Sequence, residues 1–571
     1  YNPGWQKKIF QNEDIFLGCF ELPFKQETDF WREDADFVIV IDGEIMAWNH
    51  EVKGNSTTEK LLNIFKDKGE ALVHFVNGTF TVIIWDKKNK KLFILNDRIG
   101  LRPLYYTQYR GKTLFASEVK AIIADPEFSK EYNKDSITDY FTYGYVMGDR
   151  TLLAGINVFP FAHTLRFDPA APTFKMNRYW DFDFHQEIPK EQNIAAYAWR
   201  LKEVFEKAVD RTMQGPYKVG VPLSGGLDSR AIGAMIGRQY YPLNTYTFGI
   251  KGCVDMSIAR KISRIMGANH HLVEIKYAKL ADFMVKGIFL TDGMAWCNNY
   301  QILNIMEDMQ QNDQVALTGF AGDMLYRRMY SHCQGKGVEC VYSLYDIYKE
   351  KFRKKIFTSD FQGAIDHGKE RFLGLWDDIT QEHSENSLDY LNVTQRQRKF
   401  INHGNVLMRN FIEVRTPYTD YDFLDFCLKM PLMFKEKEFL YREMLDTYFR
   451  PFARVPQEAT GLSIKPSRWE KRRLRVKKAL LAGYVARHQR AYNYDLWYRT
   501  HLKGFIKSIL LSPEFKSRQI FDQNEVERMV RDHFEGKGNY SYQLGMIISF
   551  ELWNRAFFDA GQKPAGAFLD V

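Results

Sequence analysis

The stretch VPLSGGLDSR, residues Val221–Arg230, places two glycines and two serines around one aspartate, directly after an apolar run. The run Tyr217–Leu223 predicts a short buried strand, and Ser229–Arg238 predicts a helix. Gly225 and Gly226 can adopt positive φ and bring bare backbone close to a ligand. A glycine turn between a strand and a helix presents free N–H groups at the positive end of the helix dipole. The stretch therefore predicts an anion-binding loop.

The polar side chains of this loop indicate what the anion is. Ser224 and Ser229 add hydroxyl donors, whereas Asp228 would repel a phosphate unless Mg²⁺ lay between them. The loop lacks the Gly-Lys-Ser/Thr of a Walker A motif and the G-x-G-x-x-G of a dinucleotide fold. An ordinary strand-to-helix turn is the alternative, but Ser-Gly-Gly-x-Asp-Ser after a strand favours a phosphate site.

Strands and helices alternate around the loop. After a helix at Ala195–Met213, the predicted elements are the strand and helix above and then three more: strand Leu243–Gly249, helix Asp255–Met266 and strand His271–Ile275. Alternation of this kind predicts an α/β doubly wound parallel sheet. Beyond Tyr330 the chain reads as largely helical.

The first part of the chain has a different pattern. Segments rich in β-branched and aromatic residues, such as Asp36–Ile45 and Gly78–Arg98, predict antiparallel sheets with one helix, capped by Ser56 or Thr57 and ended by Gly69. The Pro-rich, polar segment Phe167–Asn193 reads as a linker. We expect an α+β domain over residues 1–185, an α/β domain over 194–460 and a helical C-terminal extension over 461–571.

Composition bounds the class of protein. Of 571 residues, 45% are hydrophobic and 15% aromatic, so the chain is globular. The apolar runs are too short to span a membrane. The six cysteines form no CxxC pair, which predicts neither a disulfide framework nor a zinc site and favours a reducing, cytoplasmic location.

The loop resembles the pyrophosphate-binding loop of ATP pyrophosphatases, which cleave ATP between its α and β phosphates. Other segments resemble the asparagine synthetase family in the same order along the chain. Three segments resemble the family's glutaminase-type domain: DGEIMAWN (42–49), NDRIGLRPLYY (96–106) and FASEVKAI (115–122). Three later segments resemble its synthetase domain: TGFAGDMLYRR (318–328), IEVRTPYTDYDFLDFCLKMP (412–431) and YREML (441–445). The matches span about residues 35–445, and the chain is identified as a member of that family, with an Ntn-hydrolase-like first domain.

The resemblance assigns roles to individual residues. ATP and pyrophosphate would be bound by Leu223, Ser224, Gly225, Gly226, Asp228, Ser229, Phe248 and Gly319. Asp228 and Asp323 would hold Mg²⁺, although a helix cap is an alternative role for Asp323. Glu413, Arg415 and Asp420 also match family positions, and we interpret them as a structural ion-pair cluster between helices.

The glutamine site departs from the family pattern. Relatives use an N-terminal cysteine as nucleophile, but position 1 is Tyr and Cys19 is internal. Only 41 residues precede Asp42, fewer than in relatives, so the cysteine is either lost with a first segment or genuinely absent. Asp42 replaces an Asn that donates to the oxyanion, and a carboxylate cannot donate. Gly43, Glu44 and Asp97 remain as part of the site, and we expect weak or absent glutaminase activity.

The acyl-transfer residues depart as well. Asp292 is the nearest match to the family's acidic residue, and the family's lysine falls at Glu438, with Lys437 adjacent. We take Asp292 and Lys437 as the catalytic candidates. The nucleotide half therefore matches the family, whereas the substrate half is altered, and aspartate need not be the substrate.

The segment Lys465–Arg490 carries ten Lys/Arg and one acidic residue, Glu470, against a net charge of +8 for the chain. It could bind an anionic partner, but a solvated helix with Leu474 packed inward is the favoured interpretation, and nucleic acid is disfavoured. The oligomeric state stays open, with a homodimer as one option.

The sequence thus predicts an ATP- and Mg²⁺-dependent ligase that joins a small carboxylate to an amine or ammonia, with aspartate as the reference substrate. A lactam- or peptide-macrocycle synthetase, or a sugar-acid amidotransferase, is the first alternative. A non-catalytic scaffold is the second, and a tRNA-modifying enzyme is disfavoured because it leaves the first domain unexplained.

Overall fold

The computed structural model describes residues 4–184, 193–322, 333, 337–383, 386–480 and 491–559, and of residues 477–480 only the backbone. The proposed metal ligand Asp323 lies outside these ranges, as do residues 481–490 of the basic segment.

Antiparallel sheets build the first domain, whose strands are rich in β-branched and aromatic residues. A six-stranded sheet has the order β11-β10-β6-β5-β4-β3, a three-stranded sheet the order β8-β7-β9, and β1 pairs with β2. The strands are β1 Gln6–Gln11, β2 Phe16–Glu21, β3 Trp31–Glu33, β4 Phe37–Trp48, β5 Val76–Asp86, β6 Lys91–Asn96, β7 Tyr105–Tyr109, β8 Lys112–Ala116, β9 Asn157–Val158, β10 His163–Asp168 and β11 Thr173–Arg178. The helices are α1 Glu27–Phe30, α2 Thr57–Lys68, α3 Val119–Ile122 and α4 Lys134–Tyr143.

Two predictions for this domain are tested directly. Ser56 caps α2 by accepting the N–H of Glu59, and Gly69 ends the helix at positive φ, as expected. The linker prediction is wrong at its start, since β10 and β11 pair in register from His163 to Arg178. The Pro-rich segment at 169–172 is the turn of that hairpin, which explains why its composition indicated a linker.

A five-stranded parallel sheet forms the second domain, in the order β14-β13-β12-β15-β16. Its strands are β12 Val219–Pro222, β13 Asn244–Gly249, β14 Asn269–Glu274, β15 Val315–Leu317 and β16 Glu413–Arg415. The helices are α5 Ile194–Met213, α6 Asp228–Met235, α7 Val254–Met266, α8 Leu280–Leu290, α9 Leu303–Asn312, α10 Val338–Tyr345, α11 Glu350–Ile356, α12 Gln362–Asp366, α13 Gly368–His383, α14 Ser387–Leu391, α15 His403–Arg409, α16 Tyr421–Leu428, α17 Leu432–Lys435, α18 Phe439–Tyr448 and α19 Arg450–Ala453, with a π-helix at Asn392–Ile401. The predicted antiparallel first part and parallel second part are confirmed.

Helices continue beyond residue 460: α20 Arg468–Leu480, α21 Tyr494–Arg499, α22 Lys503–Leu510, α23 Pro513–Ser517, α24 Gln523–Phe534 and α25 Ser541–Trp553. They do not form a separate body. Trp497 and Leu544 share one buried apolar cluster with Phe141 of the first domain and Met284 of the second. The C-terminal helices therefore help to fix the two domains against each other.

The expectation that the cysteines form no disulfide is wrong for one pair. Cys333 and Cys340 are joined by a disulfide, and the four other cysteines are free and buried. A separation of seven residues is not a motif that sequence inspection recognises. The disulfide also removes the cysteine argument for a reducing compartment.

No helix in the described part of the chain combines the length and apolar character needed to cross a bilayer.

Candidate active site

The glycine loop opens at the carboxyl edge of the parallel sheet, as strand ends do in nucleotide-binding α/β folds. Leu223 continues β12 beside β13, since its N–H donates to the Tyr246 carbonyl at 2.7 Å and its carbonyl accepts from the Thr247 hydroxyl. Phe248, two residues after Tyr246, lies on the same strand. The structure thus places both predicted nucleotide contacts, Leu223 and Phe248, at one edge of the sheet.

Two serine hydroxyls converge within the loop. The Ser229 hydroxyl lies 3.0 Å from the Ser224 hydroxyl and accepts the Ser224 N–H at 3.0 Å. The Gly226 N–H donates to the Ser224 hydroxyl at 3.2 Å. Ser224 is exposed while Ser229 is buried, so the cluster opens to solvent at the Ser224 hydroxyl, which holds the Gly226 N–H in this structure.

Gly225 differs from the prediction, because its N–H donates to Asp255 on α7 and is not presented to a ligand. A Cβ at this position would lie 2.5 Å from Asp255 Oδ1 and 3.1 Å from Glu458 Cβ. Only glycine at position 225 therefore allows Asp255 and Glu458 to lie this close to the loop. Burial raises the pKa of Asp255, although the Gly225 N–H lowers it in part, and burial together with Asp255 raises the pKa of Glu458.

Asp228, the first residue of α6, packs against a second glycine turn. A Cβ at Gly319 would lie 2.9 Å from Asp228 Cβ, and one at Gly322 would lie 2.8 Å from Asp228 Cγ. The turn at Thr318–Gly322 thus brings the residue before Asp323 against the carboxylate of Asp228. Carboxylate oxygens are the ligands that Mg²⁺ prefers, so the residues present fit the predicted metal.

Two buried tyrosines, which the sequence did not single out, are hydrogen-bonded to each other and to the backbone of Asp228. The Tyr418 hydroxyl donates to the Asp228 carbonyl at 2.9 Å and lies 2.7 Å from the Tyr441 hydroxyl. Both rings are buried. Burial raises the pKa of Tyr441 well above its ordinary value, so its hydroxyl stays protonated, and the two tyrosines position the loop through hydrogen bonds.

The two candidates for acyl transfer lie in different surroundings. Asp292 is buried at positive φ, and its carboxylate accepts the Val119 N–H at 2.8 Å and contacts the Lys120 ammonium at 3.2 Å. These contacts join the second domain to α3 of the first and favour a structural role. Lys437 is exposed, in left-handed backbone between α17 and α18. The described contacts do not bring either residue to the glycine loop.

The predicted glutamine-site residues of β4 point at charged partners. Arg102 donates to Asp42 at 3.2 Å and to Glu413 of β16. Arg415 of β16 grips Glu44 with two hydrogen bonds, of 2.7 and 3.0 Å. Gly43, at φ 122°, leaves no room for a Cβ beside the Thr79 carbonyl. Of the three residues predicted to form an ion-pair cluster between helices, Glu413 and Arg415 instead join the two domains through strands, and Asp420 pairs with Arg211 of α5.

Lys25 completes this interdomain cluster. Its ammonium lies 2.5 Å from Glu413, 3.6 Å from Glu21 and 3.5 Å from the Gly43 carbonyl. Burial alone would raise the pKa of Glu413, yet Arg102 and Lys25 hold it well below its usual range. Burial alone would lower the pKa of Lys25, but Glu21 and Glu413 raise it. Lys25 and Glu413 therefore each favour the charged form of the other.

Asp97 is committed to backbone. One carboxylate oxygen accepts the N–H groups of Ile99 at 2.9 Å and Gly100 at 2.7 Å, and the other accepts those of Phe80 and Leu101 at 3.2 and 3.1 Å. The side chain is 2% exposed. Its described contacts shape the turn after β6.

Comparisons with known proteins agree with this geometry. Residues 9–180 match the glutamine amidotransferase domain family, and residues 200–555, more than half of the chain, match the asparagine synthase family. The chain belongs to the asparagine synthase family.

Similar proteins from Bacillus subtilis (strain 168) include three asparagine synthetases (glutamine-hydrolyzing). Number 2 is 27% identical over 39% of this chain and 32% of its own length, and number 3 is 25% identical over 68% and 67%. Number 1 is 21% identical over 93% of this chain and 87% of its own length. The match to number 2 spans about a third of that relative.

Membership in the asparagine synthase family gives context to the contacts above. The asparagine synthase match includes the glycine loop, Asp255, Tyr418 and Tyr441, and it continues past residue 460 through the C-terminal helices. The two matched regions meet at the pair Glu44–Arg415. Asp255 and the tyrosines escaped sequence inspection, because no local pattern connects them with a loop 30 or 190 residues away.

Proposed function

We propose that the chain is an ATP-dependent amide-forming ligase that activates a carboxylate as an acyl-adenylate. The observation that carries the proposal is the convergence of Ser224, Ser229 and the Gly226 N–H at the carboxyl edge of the sheet, with Asp228 against the Gly319–Gly322 turn. We assign the catalytic unit to residues 194–460 and the glutaminase-like, Ntn-hydrolase-like unit to residues 1–185.

In this proposal the loop binds the two phosphates that leave. Ser224, Ser229 and the Gly226 N–H donate to the β and γ phosphates, and the backbone of Leu223, Phe248 and Gly319 lines the adenine and ribose subsite. Asp228 and Asp323 would hold Mg²⁺, which when bound offsets phosphate charge. Gly225 supplies close packing rather than a free donor.

The bond changes follow from this placement. An oxygen of the substrate carboxylate attacks the α-phosphorus, and the bond from that phosphorus to the bridging oxygen breaks, releasing pyrophosphate held by the loop. The nitrogen of an amine or ammonia then attacks the acyl carbon, AMP leaves, and the nitrogen loses a proton to solvent. Hydrogen-bond donors preorganised around the departing pyrophosphate lower the barrier of the first step.

The nitrogen source in this proposal is ammonia or another amine rather than glutamine. Asp42 accepts a hydrogen bond from Arg102 and replaces an amide donor with a carboxyl group, and Glu44 is engaged by Arg415. The substrate is a small carboxylate, with aspartate as reference, or a peptide. Asp292 and Lys437 stay predictions for the acyl-transfer step, and the contacts of Asp292 weigh against it.

ATP–pyrophosphate exchange, screened over amino acids, sugar acids and short peptides, tests the proposal. We expect exchange with at least one carboxylate and none in the Asp228→Asn variant. Absence of exchange across the panel, together with absence of ATP binding, would favour a scaffold.

A further inference from the structure

Arg230, the third residue of α6, is a cation enclosed by backbone carbonyls. Its side chain is buried, with 0% exposure. Nη1 donates to the carbonyls of Val455 at 2.7 Å and Phe452 at 3.3 Å, and Nη2 to those of Pro456 at 2.8 Å and Gly225 at 3.3 Å.

Within the described residues, Arg230 has no carboxylate partner. Burial lowers its pKa to about 10, so the guanidinium is still charged at neutral pH. A buried charge without a counter-ion is costly, and a well-packed apolar residue would fill the site at lower cost. The arginine must therefore serve the segments that it joins.

The contact with Gly225 determines the direction of the next N–H group. In a trans peptide the C=O and the N–H lie in one plane and point in opposite directions. Because the Gly225 carbonyl points at the buried Arg230, the Gly226 N–H points away from it, toward the exposed Ser224 hydroxyl. That is the side on which the loop opens to solvent.

The preceding peptide is held from the other side. Asp255 accepts the Gly225 N–H, so one cation and one anion fix the two peptide units that flank this glycine. Two adjacent glycines without such contacts would sample many backbone conformations, and most of these would turn the N–H away from the mouth of the loop.

We propose that Arg230 is a positioning residue that holds the Gly226 N–H toward the departing pyrophosphate. This proposal rests on the proposed function and goes beyond it, because it gives a role to a residue that touches neither nucleotide nor metal. Arg230 also ties the loop to residues 452–456, so the segment that carries Glu458 moves with it.

Binding of inorganic pyrophosphate and of adenosine, measured separately by calorimetry with Mg²⁺ present, tests the proposal. Arg230→Met keeps the bulk of the side chain and removes its donors. We expect it to weaken pyrophosphate binding at least about tenfold while adenosine affinity stays within about twofold, because adenosine makes no contact with the Gly226 N–H. Arg230→Lys keeps the charge with fewer donors, and we expect an intermediate loss of pyrophosphate binding.

The matched control is Arg238→Met. Arg238 is an exposed arginine that also donates to a carbonyl, that of Met266, at 2.6 Å. This variant should bind both ligands as the wild-type protein does.

Equal losses for pyrophosphate and adenosine in Arg230→Met would indicate a general packing role and overturn the proposal, as would unchanged pyrophosphate binding. If Arg230→Met does not fold, the same comparison in Arg230→Lys decides. A wild-type protein that binds neither ATP nor pyrophosphate would instead contradict the proposed function itself.

Discussion

Two glycines, Gly43 in the first domain and Gly225 in the second, each lie among charged side chains, with opposite results. Around Gly43 the carboxylate of Asp42 is paired with Arg102 of the same domain and that of Glu44 with Arg415 of the second domain, and the charges neutralise one another. Around Gly225 the charges of Asp255 and Arg230 are used to orient backbone, and donors are left at the mouth of the loop. The same types of residue close one site and open the other.

The difference shows that a family motif does not by itself make a binding site. At Gly43 the side chains that could hold an amino acid have partners within the protein, so a ligand would have to displace these ion pairs. The Glu44–Arg415 pair is largely buried, whereas the Asp42 side chain is 42% exposed. At Gly225 the charged side chains of Asp255 and Arg230 contact the loop through its backbone, and the Ser224 hydroxyl is exposed to solvent. The following changes break or sharpen this contrast, from the largest expected effect to the smallest.

Asp228→Asn should disable the open site. The amide keeps the size of the side chain but removes the negative charge that would face the metal and phosphates in the proposed function, so the rate of ATP–pyrophosphate exchange should fall at least about 10³-fold. The control Asp422→Asn alters an exposed carboxylate that pairs with Arg211 and should exchange normally. Wild-type exchange by Asp228→Asn would remove our metal assignment.

Glu413→Gln should disrupt the interdomain ion-pair cluster of Lys25, Arg102 and Glu413. It leaves the buried cations Lys25 and Arg102 without their shared partner, and we expect the free energy of unfolding to fall by about 3 kcal/mol, as for other buried pairs. Urea unfolding followed by circular dichroism measures this. Glu203→Gln, which alters a solvent-exposed pair on α5, should leave the unfolding curve in place, and equal curves for both variants would show that the cluster does not stabilise the interface.

Acidification should weaken the interface side of the second domain through His403. Burial lowers the pKa of this histidine to about 4, against an unfolded value of about 6.5. Above pH 6.5 the group is neutral in both states. Between pH 6.5 and pH 4 only the unfolded chain takes up the proton, so stability is lost as pH falls, by about 2 kcal/mol at pH 5.

Unfolding free energies measured at pH 7 and pH 5 test this, with His403→Gln expected to remove about 2 kcal/mol of the pH dependence. The control His367→Gln, which alters an exposed histidine directly after α12, should leave the pH dependence unchanged. A His403→Gln profile that coincides with the wild-type profile would contradict the assignment.

The ion pairs around Gly43 should also affect which nitrogen donor the protein uses. Because Asp42 offers no donor to an oxyanion, we expect glutamine to support amide formation at least about tenfold less well than ammonia. Glutamate release, measured alongside pyrophosphate release, reports the difference. Glutamate formed in step with pyrophosphate would show that the ion pairs at Gly43 do not impede glutamine.

The central elements of the second domain follow from local sequence, whereas the contacts within its site do not. Alternating strands and helices predicted β12, the loop and α6 to within a few residues, because periodicity and glycine position are local properties. The bond from Asp255 to Gly225 and the clamp from Arg230 to Phe452 depend on tertiary packing. The Ser-Gly-Gly-x-Asp-Ser motif therefore located the loop, but it predicted that the Gly225 N–H binds the ligand, whereas this N–H donates to Asp255.

Asp292 shows the same limit from the other direction. Its position after α8 matched a family acidic residue, yet its carboxylate meets Val119, 173 residues earlier in the chain. The Cys333–Cys340 disulfide and the β10–β11 hairpin were missed because composition alone was used where pairing decides.

Strand β16 ends the parallel sheet, and its Glu413 and Arg415 are covered by side chains of the first domain. An uncovered edge strand of a sheet can pair with other molecules through its free backbone N–H and C=O groups. The first domain therefore shields the edge strand of its neighbour. Cutting the chain between residues 184 and 193 should yield a second half that aggregates. The first domain thus has a structural use to its neighbour that does not depend on any hydrolytic chemistry of its own.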